Sequence, residues 1–368
     1  MSMATKPAAP NVAKDALPVV VTGGSGFIGS SLADSLLRDG EDVVILDNLS
    51  RPGVEQNLAW LTERHGARAH PVLADVRDFR DIEAAFADAK AVFHLAAQTA
   101  VTTSLVHPVD DFEANARGTL NVLEAVRKVG KKAPVIFAST NKVYGALEDI
   151  GMLELDERYV PADENMRANG IGEGRPLDFC TPYGCSKGVA DQYVLDYAKS
   201  YGIPTAVLRM SCIYGPRQFG TEDQGWVAHF LIRALGGEPI SIYGDGKQVR
   251  DILHVDDAVS AYRAVLANIA AIKGRAFNLG GGPRNAVSIL AVLGEIEALV
   301  GHPVETSFGE WRAGDQYFFV ADTRKLEEEL SWQARVRWRS GLRHLAEWLV
   351  DNRFGGGPLL QEKRKVRA

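Results

Sequence analysis

The amino-acid sequence predicts an α/β fold: a Rossmann-type doubly wound parallel sheet with a smaller, interleaved C-terminal substrate domain. Two observations predict it. Short apolar runs typical of buried strands alternate with amphipathic helical segments through the first half of the chain. A glycine-rich turn, Gly23-Gly-Ser-Gly-Phe-Ile-Gly29, directly follows the first of these runs. In this fold such a turn is the place where a dinucleotide binds.

Composition narrows the class of protein further. The 368 residues carry a net charge of -6, which argues against a nucleic-acid partner. No apolar run reaches membrane-spanning length, so no membrane partner is expected. The three cysteines fit neither a disulfide framework nor a zinc site, which predicts no metal and a reducing compartment, by default the cytoplasm. We divide the chain into a disordered leader (1–16), an NAD-binding Rossmann domain (17–215), a mainly substrate-binding domain of which part returns to the Rossmann sheet (216–355), and a basic tail (356–368).

The glycine turn is the first element that predicts ligand contacts. Its spacing allows a tight turn and lets backbone N–H groups approach a pyrophosphate at the start of the next helix. The expected cofactor contacts in the turn are Gly23, Gly26, Phe27, Ile28 and Gly29.

The second predicted strand, residues 42–46, ends at Asp47 and Asn48, which we also expect at the cofactor. An acidic side chain at this position hydrogen-bonds the adenosine ribose hydroxyls and repels a 2′-phosphate. The sequence therefore favours NAD over NADP. Arg51 lies close enough in sequence to keep NADP as an alternative.

The fourth predicted strand, residues 91–94, leads into a segment where the cofactor should cross the sheet edge. Its expected contacts are Leu95, Ala96, Ala97 and Gln98. His94 is expected to be a packed strand residue. A long helical pattern from about residue 108 then carries Asn115, for which we favour a structural hydrogen bond to the fourth strand over a role in a proton relay.

The fifth strand and a later helix bring the candidate catalytic residues. The strand, residues 134–138, ends at Ser139 and Thr140, and Tyr183 and Lys187 stand four residues apart at the start of a helix that Thr181 should cap. A lysine beside a tyrosine is expected to lower the pKa of the phenol, which could then take a hydroxyl proton as a hydride leaves the same carbon. The long polar segment between Gly145 and Thr181 indicates a lid, a substrate gate or a mobile loop.

Together these motifs resemble the extended short-chain dehydrogenase/reductase family of nucleotide-sugar enzymes. Three runs resemble one branch of it, the CDP-tyvelose (CDP-paratose) 2-epimerases. They are Ser139-Thr-Asn-Lys-Val-Tyr-Gly145, Pro182-Tyr-Gly-Cys-Ser-Lys-Gly-Val-Ala-Asp-Gln-Tyr193 and Gly215-Pro-Arg-Gln-Phe-Gly-Thr-Glu-Asp-Gln-Gly-Trp226. The resemblance extends from about Val19 to Trp348. It implies an NAD-dependent epimerase that removes and returns a hydride at C2 of a CDP-hexose, and a homodimer or tetramer.

The resemblance also implies residue roles. Thr140, Tyr183 and Lys187 would be catalytic, with Lys187 also binding the nicotinamide ribose. Asp75 and Val76 would lie at the adenine. The expected substrate contacts are Thr103, Asn141, Arg217, Arg250 and Arg312.

Two alternatives stay open. The first is a 4-epimerase of UDP- or GDP-sugars, which uses the same catalytic residues. The second is a catalytically silent NAD-binding regulatory protein, because fold alone does not fix function. A 4,6-dehydratase is disfavoured, since dehydratases of this family usually carry an acidic pair where this chain has Asn141 and Lys142.

Overall fold

The structure is a computed structural model that describes residues 17–130 and 132–354. The predicted leader (1–16) and basic tail (356–368) lie outside the described residues. Within the described part of the chain, no helix is long and apolar enough to cross a bilayer.

Fifteen strands are described. In chain order they are β1 Val19–Thr22, β2 Val43–Asp47, β3 Ala69–Leu73, β4 Ala91–His94, β5 Val135–Thr140, β6 Met152–Glu154, β7 Tyr159–Pro161, β8 Thr205–Met210, β9 Cys212–Tyr214, β10 Ile240–Tyr243, β11 Val249–His254, β12 Arg275–Leu279, β13 Ala286–Ser288, β14 Thr306–Gly309 and β15 Phe318–Phe319.

The helices alternate with these strands. They are α1 Phe27–Arg38, α2 Val54–His65, α3 Phe79–Ile82, α4 Val101–Val106, α5 Pro108–Phe112, α6 Gly118–Val129, α7 Glu164–Asn169, α8 Thr181–Ser200, α9 Trp226–Leu235, α10 Val255–Ala267, α11 Ile269–Ile272, α12 Ile289–Val300, α13 Arg324–Leu330 and α14 Trp338–Asn352.

The predicted doubly wound sheet is confirmed. Seven parallel strands lie in the order β12-β8-β5-β4-β1-β2-β3. One face is covered by α1, α2 and α10, and the other by α3, α6 and α8. Because both faces are covered, the central strands are apolar throughout, as in the buried Val19–Thr22 run. Strand order reverses between β1 and β4, which opens a crevice at their carboxyl ends.

A second, smaller layer stands beyond the carboxyl edge of this sheet. Strands β9, β11, β13 and β15 form a mixed four-stranded sheet, and β10 pairs with β14. Helices α9, α12 and α14 bury Leu231, Ile296 and Leu345 against this layer. The strand expected within the smaller domain at 276–279 instead pairs with β8 as the edge strand of the main sheet, because Phe277 packs into the main core.

Three places add local detail to the expectations. The polar segment after Gly145, for which the sequence indicates a lid, a substrate gate or a mobile loop, forms the β6–β7 hairpin and α7. The long helical pattern from residue 108 is interrupted by a π-helical turn, Glu113–Arg117, where Asn115 lies. Thr181 is the first residue of α8 and Cys180 takes the cap position, although the Thr181 hydroxyl still accepts a hydrogen bond from the Gly184 N–H at 3.4 Å.

Candidate active site

The end of β5 and the first turns of α8 bring Thr140, Tyr183 and Lys187 together. All three are buried. The Thr140 hydroxyl donates to the side-chain oxygen of Asn141 at 3.3 Å and accepts the Lys142 N–H at 3.2 Å. The ammonium of Lys187 donates to the carbonyl oxygen of Ala138 at 2.6 Å and lies 4.2 Å from the centre of the Phe137 ring. The predicted pair therefore shares one pocket with the end of β5.

The protonation behaviour of this pair differs from the sequence-based expectation. Burial raises the pKa of Tyr183 to about 12, with a hydrogen bond between this phenol and Thr140 acting against that rise. Burial also lowers the pKa of Lys187 to about 7, against the pull of Asp191 and Asp111. The expectation that Lys187 lowers the pKa of Tyr183 is wrong for this structure, because the dry pocket disfavours both charges and the ammonium is directed at Ala138.

A buried ion pair holds α8 against β8 beneath the catalytic residues. The carboxylate of Asp191 accepts two hydrogen bonds from the guanidinium of Arg209, at 2.9 and 3.0 Å, and one from the Ser139 hydroxyl at 2.8 Å. Sequence reasoning missed this pair. No local spacing indicates it, because Arg209 lies on β8 and Asp191 on α8.

A second buried carboxylate, Asp111, lies on the other side of α8. It accepts hydrogen bonds from the Ser186 hydroxyl, from the Asn115 amide at 3.1 Å and from the Gln98 amide at 3.0 Å. Asn115 also accepts the backbone N–H of Gln98 at 2.9 Å. Asn115 therefore makes the expected structural bond, to the segment that follows β4. The side chain of Gln98 is engaged within the protein, since its carbonyl oxygen accepts the Ala100 N–H.

The glycine turn packs too closely against neighbouring backbone to hold a side chain at two of its positions. Gly23 has φ +66°, and a Cβ there would lie 2.7 Å from the backbone nitrogen of Ala96. A Cβ on Gly29 would lie 2.1 Å from the Gly23 carbonyl oxygen, so strand and helix meet too closely for any side chain. Gly26 caps α1 without a side-chain hydrogen bond. The first N–H groups of α1, at Phe27 and Ile28, are therefore available to a phosphate.

The acidic residues after β2 and β3 line the same crevice. Asp47 accepts the N–H of Ser25 at 3.0 Å and that of Leu49 at 2.9 Å, and burial raises its pKa. Asn48 donates to Asp75 at 2.9 Å. Burial raises the pKa of Asp75, but hydrogen bonds from Arg77 and Asn48 outweigh that effect and lower this pKa to about 2. This donor and acceptor set fits an adenosine with free ribose hydroxyls.

The loop between β14 and β15 faces the end of β5. The guanidinium of Arg250 donates to Asp315 at 2.5 Å and to the carbonyl oxygen of Gln316 at 2.7 Å. The Gln316 side chain accepts the Asn141 amide at 3.0 Å. The Lys142 ammonium lies 3.6 Å from the Asp315 carboxylate. Neither Asp315 nor Gln316 had a signal in the sequence, because both lie in an irregular loop.

Of the remaining predicted substrate residues, Arg312 is joined to this group, since its carbonyl oxygen accepts the Asp315 N–H at 3.1 Å. The guanidinium of Arg217 stacks 3.2 Å from the centre of the Trp60 ring and also approaches Trp348, so its contacts are with α2 and α14. Arg312 lies over the Tyr243 ring and donates to the carbonyl oxygen of Glu222 at 3.1 Å. Thr103 is exposed on α4. The structure thus brings Asn141 and Arg250 together, while Arg217 contacts no other predicted substrate residue.

Comparison with known proteins assigns the chain to a family. Residues 19–280 match the NAD dependent epimerase/dehydratase family. A CDP-paratose 2-epimerase from Salmonella typhi is 42% identical over 339 residues, which cover 90% of this chain and 99% of that protein. A putative UDP-glucose 4-epimerase from Methanocaldococcus jannaschii is 33% identical over 338 residues, or 91% of this chain and 99% of that protein.

Solved structures agree with the family match. A UDP-glucose 4-epimerase with UDP-glucose from Thermotoga maritima superposes with a TM-score of 0.77 at 31% identity, covering 91% of this chain and 99% of that one. A dTDP-glucose 4,6-dehydratase from Streptomyces venezuelae, solved with NAD, gives a TM-score of 0.79 at 27% identity, covering 93% and 99%.

The chain belongs to the NAD-dependent epimerase/dehydratase family, in the extended short-chain dehydrogenase/reductase group. Its cofactor is NAD and its activity class is nucleotide-sugar epimerase. The predicted family, cofactor and activity class are confirmed.

Proposed function

We propose that this enzyme inverts C2 of a CDP-hexose of the CDP-paratose/CDP-tyvelose type, by transient oxidation and reduction at that carbon. The observation that carries the proposal is the intact group of Thr140, Tyr183 and Lys187 beside two residues, Asn141 and Lys142, that are not acidic. Support for the sugar comes from the 42% identity to a CDP-paratose 2-epimerase over almost the whole of that protein.

In the proposed mechanism, bound NAD would accept a hydride from the sugar and later return it. Tyr183 takes the proton of the C2 hydroxyl, and Thr140 holds the reacting oxygen by a hydrogen bond. Because the pKa of Tyr183 is about 12 in the dry pocket, its phenolate needs a nearby cation. Lys187 can supply that charge once its ammonium exchanges the Ala138 carbonyl oxygen for the nicotinamide ribose. The keto-sugar then presents its other face, and Tyr183 returns the proton.

The residues around C2 support epimerisation without dehydration. A dehydratase needs a carboxyl group to donate and accept protons, and the amide of Asn141 cannot do so. Asp315 is the nearby carboxylate, but it pairs with Arg250 and Lys142. Burial raises the pKa of Asp315, but the two cations outweigh that effect and hold this pKa below its usual value. The carboxylate therefore stays ionised and is a weak base.

Arg250 and Arg312 are the proposed ligands of the substrate pyrophosphate. Both guanidiniums contact carboxylates, Asp315 and Glu222, that phosphate oxygens could replace with bidentate geometry. Asn141 and Thr103 are proposed on the sugar side. The stacking of Arg217 on Trp60 favours a structural role for that residue. The proposed cofactor contacts are those predicted from the sequence, Gly23, Gly26 to Gly29, Asp47, Asn48, Asp75, Val76, Leu95 to Gln98, and Lys187.

A homodimer is proposed from an apolar surface on α4, α5 and α8. Its members are all exposed large hydrophobic side chains, namely Leu105, Val106, Val109, Phe112 and Tyr193. The three helices pack against one another, and exposed apolar side chains on neighbouring helices are typical of a protein interface. A cytoplasmic location is proposed because the three cysteines are free.

The test is proton NMR of the purified enzyme with CDP-, UDP- and GDP-hexoses and 3,6-dideoxyhexoses, following the couplings at C2 and C4. Inversion at C2 of a CDP-sugar is the expected result. Inversion at C4 of a UDP-sugar would replace the proposal with the second candidate, a UDP-sugar 4-epimerase. That candidate is favoured by the match to a structure solved with UDP-glucose.

A further inference from the structure

Arg51 makes contacts that a side chain waiting for a phosphate would not make. It lies in the segment after β2, four residues beyond Asp47. One nitrogen of its guanidinium donates to the Thr99 hydroxyl at 2.8 Å, and another donates to the Gln224 side-chain carbonyl oxygen at 2.7 Å. Burial lowers the pKa of this guanidinium. The charge is therefore committed to two neutral acceptors within the protein.

The Arg51–Thr99 hydrogen bond joins two segments that lie on either side of the glycine turn. Thr99 belongs to the segment that follows β4, and Arg51 to the segment that follows β2. Strands β2 and β4 flank β1, whose carboxyl end leads into the glycine turn. The Arg51–Thr99 bond thus connects the two sides of the crevice over the place where a dinucleotide pyrophosphate binds.

Gln224 belongs to residues 217–225, a segment that is hydrogen-bonded to other parts of the chain near both of its ends. At its start, the Asn57 amide donates to the Arg217 carbonyl oxygen at 3.3 Å and to the Ser25 carbonyl oxygen, within the glycine turn, at 3.1 Å. Near its end, the Thr102 hydroxyl donates to Asp223 at 2.8 Å. The segment therefore runs from the glycine turn to α4, along the open side of the crevice.

The same segment also contacts the proposed substrate side. Glu222 accepts a hydrogen bond from the Tyr243 hydroxyl and pairs with Arg312 at 3.6 Å. One short segment thus has contacts with the cofactor crevice through Gln224 and with a proposed pyrophosphate ligand through Glu222.

We propose that Arg51 and residues 217–225 form a clasp that closes over bound NAD, and that Arg51 acts as a positioning residue for cofactor retention rather than as a reader of a 2′-phosphate. Retention suits an enzyme whose hydride returns to the sugar, so this inference deepens the proposed function. It depends only on the family's NAD and on the crevice, and not on the identity of the sugar.

The test measures cofactor release and not turnover. The enzyme is loaded with NADH, chased with excess NAD, and the loss of protein-bound nicotinamide fluorescence is followed. Arg51→Leu is expected to speed dissociation about tenfold, which corresponds to about 1.4 kcal/mol. Gln224→Leu and Thr99→Val each remove one partner of the guanidinium and should speed release by smaller factors. Arg284→Leu, an exposed arginine away from the crevice, is the matched control.

Coupling between the two sides of the clasp gives a second readout. The double variant Arg51→Leu/Gln224→Leu should release NADH no faster than Arg51→Leu alone, because both changes break the same bond. Unchanged release in all three single variants would overturn the proposal. So would a wild-type enzyme that binds NADP as tightly as NAD and loses only NADP binding in Arg51→Leu. Failure to invert C2 would contradict the proposed function and leave these release rates intact.

Discussion

Two buried arginine–aspartate pairs lie on opposite sides of the active site and differ in what surrounds them. Arg209 and Asp191 join β8 to α8; the Ser139 hydroxyl also donates to the carboxylate, and the guanidinium also donates to the Tyr144 hydroxyl. Arg250, on β11, pairs with Asp315 in an irregular loop. The side chain of Asp315 is about one-fifth exposed to solvent. The first pair is enclosed by regular elements, and the second is open to exchange. The Arg209–Asp191 pair therefore fixes the geometry beside the candidate catalytic residues. The Arg250–Asp315 pair can exchange its contacts for contacts with a ligand.

The largest effect is expected on the catalytic side. Tyr183→Phe removes the proposed base and should lower turnover about 10²–10⁴-fold, since positioned acid–base groups contribute on that order. Bound NAD should stay nearly unchanged. The NMR assay and the absorbance of released NAD measure the two quantities. Tyr201→Phe, at the end of the same helix, is the control, and full activity of Tyr183→Phe would remove the phenol from the mechanism.

Breaking the enclosed pair should cost stability. Arg209→Met leaves the Asp191 carboxylate buried and without its cation, which is expected to lower the free energy of unfolding by about 3–5 kcal/mol. Urea denaturation of the purified protein measures this change. Arg324→Met is the matched control, because its pair with Asp322 is more than half exposed at the arginine and should change stability by about 0–1 kcal/mol. Equal losses in both variants would erase the contrast between enclosed and open pairs.

Breaking the open pair should mainly cost substrate affinity. Arg250→Met is expected to raise KM about 10- to 100-fold with a smaller change in kcat, as for loss of a hydrogen bond to a charged group. Lys142 remains beside Asp315, so the free energy of unfolding should fall less than in Arg209→Met. Arg263→Met, at an exposed pair far from the site, is the control. A fall in kcat without a change in KM would contradict the pyrophosphate role.

The most gradual effect is a pH dependence of stability on the side that holds Lys187. Burial lowers the pKa of Lys187 from its ordinary value of 10.5 to about 7, so above pH 7 the unfolded chain holds a proton that the folded chain has lost. Stability of the NAD-free protein should therefore rise as pH increases from 7 towards 10, by at most about 1.4 kcal/mol per pH unit. Denaturation curves of wild type and Lys187→Met at several pH values measure it. A slope that is the same in both would assign the dependence to another group.

The two sides also differ in how well the sequence predicted them. Tyr183 and Lys187 are one helical turn apart, so their shared face follows from spacing alone. The Asn141–Gln316 hydrogen bond joins residues 175 positions apart, and no local pattern predicts it. Arg217 lies in a run that resembles the family, but its stacking on Trp60 depends on α2, which no local pattern connects to it. The polar segment after Gly145 was ambiguous because its hairpin packs on β15, a strand that is distant in the sequence.

By itself, the sequence predicted the parallel sheet, the glycine turn, the acidic residue at the end of β2 and the candidate catalytic residues. Each of these is set by neighbours within a few residues, where backbone geometry fixes which side chains meet. Only the tertiary structure decided that Lys187 turns to Ala138, that Arg250 meets Asp315, and that Arg51 meets Gln224 across 173 residues. Those contacts depend on the order of strands in the sheet and on burial, which sets the pKa of each charged group and appears only when distant segments exclude water together.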